Sequence, residues 1–292
     1  MLGETLKIRV VKADGSLEYF KRRKIMRSLL RAGASKATAA GILDKIEGTL
    51  YDGITTKEIK RRVRAILPKE DIRAAMRYDL KAAIMRLGPA GFQFETFVAE
   101  VLDNYGYKTK LRTLVKGRCV QHEVDVIAEK SNGDVTRCMI ECKYHNLPGN
   151  SVDLKDVLYT YARFLDLNEG SSLENGDRFD EVWMVSNTKA SVEATKYAKC
   201  RGMKLLCWKY PKDMSLERMI EARDLYPVTV LSSVDRETLG KLFAVDLMLA
   251  KDLLTRDIGD LRKAGLSKGK LEKLISEAKH LLSKPETVQP ED

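Results

Sequence analysis

Asp125, Glu141 and Lys143 are the residues whose types and spacing best suit chemistry in this 292-residue chain. Asp125 sits in the run HEVDVIAE, and the other two sit in IECKYH. Both runs read as strands. Residues two apart on a strand share a face, so Glu141 and Lys143 project together. Polar residues beside Met139, Ile140 and Cys142 on an otherwise apolar strand need a reason. Two carboxylates brought together by strand pairing can hold Mg²⁺, which takes oxygen ligands and keeps several waters. Such a cation acidifies a water and neutralises charge on a phosphodiester. A lysine beside it, its pKa lowered by burial and the neighbouring cation, orients and helps deprotonate the attacking water. This is the minimum equipment for phosphodiester hydrolysis. Taken alone, a Glu and a Lys two apart are more often a surface pair.

The shared site carries a geometric condition. Ser131-Asn132-Gly133-Asp134 joins the two strands, and Asn-Gly is a strong hairpin signal. A pure two-residue turn would oppose Asp125 to Ile140 and send its side chain to the face away from Glu141. Convergence therefore requires an odd loop or a bulge, and one is expected here.

The elements that must position these residues follow from periodicity. Phe94, Phe97, Val98, Val101, Leu102 and Tyr105 form one apolar helical stripe that Gly106 stops. Strands follow at 107–115 and in the two runs above. A helix over 152–167 carries Leu154, Val157, Leu158, Tyr161 and Leu165 on one side. The strand EVWMVSN, a helix over 190–201 and the strand KLLCW form a parallel crossover unit. The middle of the chain is thus a mixed sheet flanked by helices. Ahead of it, Lys7 to Phe20 reads as a short hairpin turning at Ala13-Asp14-Gly15-Ser16. Helices follow over 21–32, 36–50, 56–67 and 70–88, with Thr55 and Glu58 spaced as a capping box. Gly88-Pro89-Ala90-Gly91 ends the last of them and marks a boundary. After Pro211 the pattern is helical to about 283, and KPETVQPED reads as a frayed tail.

Composition bounds the rest. Hydrophobic residues make up 44% and charged residues 32%, so the chain can bury real cores. No run approaches the ~18 apolar residues of a membrane helix, and the start lacks a signal-peptide pattern. Five cysteines without a CxxC pair, and three scattered histidines, suit neither a disulfide framework nor a zinc cluster. A reduced, cytoplasmic protein without a membrane partner is expected. Residues 1–90 hold 21 Lys and Arg against 10 Asp and Glu, while 91–292 hold 31 against 32. The basic excess lies in the first third, which suits an anionic partner there.

The helix GFQFETFVAEVLDNYGY, the hairpin with its D…ExK pattern, and WMVSNTKASVEATKYAKCRGMKLLCW together resemble the Mrr-like branch of the PD-(D/E)xK restriction endonucleases, over about 91–210. The resemblance implies a Mg²⁺- or Mn²⁺-dependent DNA endonuclease. On matching positions Asp125 and Glu141 would be metal ligands, the main-chain carbonyl of Cys142 a third, and Lys143 the catalytic lysine. Glu95 would be the helix acid that supports the site. Asp125 follows Val124 rather than a proline, a departure this diverse superfamily tolerates.

RVVKADGSLEYFKRRKI, YDGITTKEI and RYDL resemble the ATP-cone, a small nucleotide-binding regulatory domain, over about 5–88. That resemblance implies ATP or dATP as a regulatory ligand, with Lys12 and Lys24 on phosphates and Glu18 and Thr56 as further contacts. Ala13 stands where the family usually has arginine, which bears on the tightness of binding and the preference among adenine nucleotides. No Walker P-loop is present, so ATP hydrolysis is not implied. Near the end, GLSKGKLEKLISEAKHLL resembles one helix-hairpin-helix element; a plain helical dimerisation bundle is the alternative.

The expected fold class is therefore multi-domain α/β and α+β. It comprises a mostly helical ATP-cone with a hairpin (1–90), a restriction-endonuclease-like mixed sheet (91–212), a small helical domain for DNA binding or oligomerisation (213–285) and a tail (286–292). DNA and an adenine nucleotide are the expected partners, and double-strand cutting would favour a homo-oligomer with two-fold symmetry. The alternative is a nucleotide-responsive DNA-binding or regulatory protein with a silent nuclease fold.

Overall fold

The computed structural model describes residues 7–12, 14–88, 91–147, 149–174 and 178–283. Ala13, the Pro89-Ala90 boundary and the tail 286–292 lie outside them. The chain forms two compact units, one of Met1–Leu80, Val230–Asp235 and Arg256–Asp292, the other of Lys81–Thr229 and Arg236–Thr255.

In the first unit β1 (Arg9–Val11) and β2 (Leu17–Tyr19) form the expected hairpin, and β3 (Ile54–Thr55) adds a parallel strand beside β1. The helices are α1 (Arg22–Arg31), α2 (Lys36–Glu47), α3 (Thr56–Glu70) and α4 (Ile72–Tyr78). Thr55 caps α3 by accepting the Glu58 amide proton, as the capping-box spacing predicts. The stretch read as one helix over 70–88 is broken. Asp71 is extended and caps α4, and α5 (Leu80–Ile84) starts anew after Asp79. Leu29, Ile42, Leu43, Ile46, Ile54, Val63 and Leu67 make the core.

In the second unit five strands are ordered β10-β8-β6-β5-β4: β4 (Lys108–Lys116), β5 (Gln121–Asn132), β6 (Asp134–Lys143), β8 (Glu181–Ser186) and β10 (Lys204–Leu206). The first three pair antiparallel, and β6, β8 and β10 pair parallel, which gives the mixed sheet expected. A two-residue strand, β7 (Ser151–Val152), pairs with β9 (Lys189–Ala190) apart from the main sheet. Helix α6 (Phe92–Asp103) packs on β4, β5 and β6, and α7 (Leu154–Glu174) and α8 (Val192–Cys200) also flank the sheet. Phe94 and Phe97 of α6 are fully buried, each contributing roughly 1.5–3 kcal/mol through removal of its ring from water.

The segment 213–285 is divided between the units. Helices α9 (Leu216–Ala222), α10 (Arg236–Phe243) and α11 (Asp252–Thr255) lie in the second, and α12 (Ile258–Lys263) and α13 (Lys268–Leu282) in the first. The reason is packing. Leu271, Leu274, Ala278 and Leu281 of α13 are buried, α13 lies against α4, and Arg77 donates to the Leu281 carbonyl at 3.3 Å. No described helix is long and apolar enough to cross a membrane.

Candidate functional site

The β5–β6 hairpin satisfies the condition that convergence imposes. Asn132 pairs with Asp134, so Gly133 alone forms the bend, at φ +97, where a side chain would be strained. The connection is odd, and the ladder runs back to Val126 opposite Ile140. One step further along this register, Asp125 stands opposite Glu141 on a shared face. Asp125 Oδ2 accepts the Cys142 amide proton at 2.7 Å. At this level the neighbouring strand is distorted. Arg112, the residue across from Asp125 in the β4–β5 register, has φ +46, a conformation costly for a side chain.

The structure gathers three carboxylates here. Burial, then the charge of Asp125, pushes the Glu141 carboxyl up to about 7. The same two causes raise Glu95, which is buried on the first turn of α6. Burial raises Asp125 itself, against the opposing Cys142 amide. Burial, followed by the charges of Asp125, Glu95 and Glu141, holds the Cys142 thiol well above its ordinary range. That thiol stays neutral, which leaves the Cys142 carbonyl as its donor to a hard cation.

Lys143 departs from expectation. Its side chain is 42% exposed rather than buried, and its ammonium pairs with Asp156 Oδ1 at 2.7 Å. Burial opposes ionisation of Asp156, yet the Lys143 ammonium and the Asp153 amide hold its carboxyl below the usual range. The end of β6 is pinned by fully buried polar side chains. Ser186 Oγ donates to the Lys143 carbonyl at 2.7 Å, and Asn187 both accepts from the His145 amide (2.9 Å) and donates to the His145 carbonyl (2.7 Å). Unpaired polar groups at such depth would be costly, so these bonds fix where the Glu141–Lys143 strand ends.

Three residues at this site were missed by sequence reasoning. Arg163 of α7 is buried, and its guanidinium bonds both the Glu141 carboxylate and the Glu123 carbonyl. Asp156 lies seven residues before it, a spacing that puts both on one face of α7 and was the available signal. Arg112 donates to Glu95 at 3.2 Å; its backbone strain left no trace in the sequence.

Among the described residues, no group of three or more His, Cys, Asp and Glu is placed to hold a metal. The oxygen-only set of two carboxylates and one main-chain carbonyl nonetheless suits Mg²⁺, which keeps several waters and needs no protein cage. Burial first, and then the charge of Asp125, makes ionisation of Glu95 and Glu141 costly, a cost that a bound cation would offset. The donor set fits the ion.

The first unit holds a second cluster. Lys12, Glu18, Lys24 and Thr56 all line one cavity of about 270 Å³. Val10, Phe20, Ile25, Ile59 and Tyr78 give it an apolar floor, and Lys21 and Lys60 add to its basic rim. Glu18 stands between the lysines, 3.4 Å from the Lys12 ammonium and in contact with that of Lys24. Burial pushes the Tyr78 hydroxyl up to about 12, so it stays a neutral donor at the base of the cavity. An apolar floor under a lysine rim suits a planar base joined to phosphates.

Comparison with known proteins agrees with this layout. Residues 8–82 match the family described as ATP cone domain, 89–209 the restriction endonuclease family Mrr_cat, and 226–282 the AF1548-like C-terminal family. An uncharacterized protein of Archaeoglobus fulgidus is 40% identical over 185 residues, which is 63% of this chain and 99% of that protein. The crystal structure of the protein of unknown function AF1548 superposes with a TM-score of 0.55 at 41% identity, covering 64% of this chain and 95% of that one. The MspJI restriction endonuclease in complex with a 27-mer oligonucleotide gives a TM-score of 0.34 at 14% identity, over 70% of this chain and 39% of that one, a likeness too slight to bear on activity.

Proposed function

Because the chain belongs to the AF1548-like family and joins an ATP-cone to a restriction-endonuclease domain, we propose that it is a divalent-metal-dependent DNA endonuclease controlled by ATP or dATP. The observation that carries this reading is the odd hairpin that sets Asp125 opposite Glu141 with Lys143 two residues on. In this proposal Asp125, Glu141 and the Cys142 carbonyl hold Mg²⁺ or Mn²⁺. The ion supplies stabilisation of negative charge developing on a phosphodiester. Lys143 leaves Asp156 to orient the attacking water and take part in moving its proton. Glu95, held by Arg112, supports the acid cluster from α6. Residues 1–90 form the regulatory domain, with Lys12 and Lys24 on phosphates and Glu18 and Thr56 as further contacts. Residues 91–212 form the nuclease domain, and 213–285 serve DNA binding or oligomerisation. The protein works in the cytoplasm as a homo-oligomer.

A second reading, a nucleotide-responsive DNA-binding protein with a silent nuclease fold, is favoured by the engagement of Glu141 with Arg163 and of Lys143 with Asp156. A Mg²⁺ or Mn²⁺ titration of cleavage on plain, methylated and branched duplexes and on RNA, with and without ATP, separates the two. Metal-dependent cutting of any DNA substrate supports the enzyme; no cutting of any substrate at any metal concentration supports the silent fold.

A further inference from the structure

The chain passes from the first unit to the second between Leu80 and Lys81, inside α5. Tyr78, just before this crossing, lines the lysine-rimmed cavity. Beyond it Ala83, Ile84 and Leu87 are buried. Thr229 Oγ1 donates to the Ala83 carbonyl at 2.8 Å, Arg86 to the Thr229 carbonyl at 2.6 Å, and the Tyr144 hydroxyl to the Met85 carbonyl at 2.8 Å. A flexible linker would leave the Ala83 and Met85 carbonyls to water. Residues 81–87 are instead built into the second unit.

Tyr144 is the residue that follows Lys143. Its ring centre lies 5.5 Å from that of Phe94, which is fully buried and precedes Glu95 on α6. Ser186 and Asn187, at the end of β8, hold the main chain of Lys143 and His145 from within the sheet. The Tyr144 hydroxyl reaches instead the stretch that comes straight from the first unit. A hydrogen bond weakens steeply outside its narrow range of length and angle, and a carbonyl away from water is costly to leave unpaired. Movement of Met85 is thus passed to Tyr144, beside a lysine with two places to go. Lys143 rests on Asp156 in this structure and leaves it in the proposed reaction.

We propose that Tyr144 is a positioning residue for Lys143, and that its hydroxyl bond to the Met85 carbonyl carries the nucleotide state of the first unit's cavity to the end of β6. This rests on the nucleotide control proposed above and names the contact through which it acts.

The test follows hydrogen exchange of the Lys143–His145 amides in the full chain, without DNA or metal, as ATP or dATP is added; plasmid nicking with Mg²⁺ is read alongside, with and without nucleotide. In the wild type, nucleotide changes the exchange rates by about fivefold or more, the lower end for coupled sites. Tyr144→Phe keeps the ring against Phe94 and removes the hydroxyl; it still binds nucleotide in calorimetry, and its exchange response disappears. Thr229→Val removes another anchor of the stretch, the bond to the Ala83 carbonyl, and keeps the response. A full response in Tyr144→Phe, loss of its nucleotide binding, or loss of the response in both variants overturns the inference alone. So does wild-type nicking that responds to nucleotide while these amides do not. A wild type in which neither responds overturns the regulatory reading beneath it. If Thr229→Val does not fold, the wild type and Tyr144→Phe decide.

Discussion

Around Asp125 three carboxylates lie in or near the core, with burial first and the charge of Asp125 second raising the pKa of both Glu95 and Glu141, and two arginines gripping the flanking acids. Around Glu18 two lysines, 38% and 54% exposed, converge on one carboxylate at the surface of a cavity. Each cluster contains its own counter-charge, two arginines in the first and a glutamate in the second. They differ in solvent. Water screens the exposed lysine pairs, which are worth little singly, while the buried acids keep most of their repulsion. A cation at the acid cluster would offset the cost of burying charge there, whereas an anion at the lysine cavity would displace only a weak internal partner.

The sharpest way to break this contrast is to remove charge from the buried cluster. Asp125→Asn keeps an acceptor for the Cys142 amide and is expected to lower metal-dependent cleavage by about 10²-fold or more, the usual effect of losing one preorganised electrostatic group. Rates under single-turnover conditions check it. At the exposed cluster, Lys24→Ala should weaken ATP or dATP binding by about tenfold, roughly 1.4 kcal/mol, in calorimetry, and leave Mn²⁺ binding unchanged.

Stability sharpens the comparison from another side. In EDTA, Asp125→Asn should raise Tm by about 2–4 °C, as relief of roughly 1 kcal/mol from no longer burying this charge would in a domain of this size. Glu18→Gln should give no such gain, because its pairs are exposed. Scanning calorimetry of the two variants reads both; an equal rise would erase the distinction.

The smallest effect concerns an acid that is already satisfied. Asp166 accepts the Cys119 amide at 2.8 Å and pairs with His122 at 2.8 Å. The Cys119 amide first, and then the His122 contact against opposing burial, hold its carboxyl down at about 2. A depressed carboxyl stabilises the fold above its unfolded value near 3.8, and that contribution is lost as pH falls toward about 2. Asp166→Asn should therefore flatten this part of the acid-unfolding curve and slightly lower Tm at neutral pH, where the wild-type contribution is fully present.

The strand register at the acid site was legible because only an odd connection puts Asp125 beside Glu141, and Asn132-Gly133 marked where it had to be. The helices of the first unit were legible from periodicity and from the Thr55–Glu58 cap. β3 was not, since two residues carry no period, and it is specified by pairing with β1 across more than forty residues. The counter-charges escaped for a similar reason. Arg163 and Asp156 look like solvated positions on α7 until β6 is laid against them. Nor did local pattern show that α13 packs on α4, because that choice is made by surfaces far apart in the chain.

Whether Asp125, Glu141 and Lys143 form a working hydrolytic site is decided by nicking of supercoiled plasmid by wild type and Lys143→Ala at saturating Mg²⁺. Wild type should nick in a reaction that EDTA stops, and Lys143→Ala should nick about 10²–10⁴-fold more slowly, the contribution of a positioned proton-transfer group. Equal nicking by both proteins, or none by either, would contradict such a site.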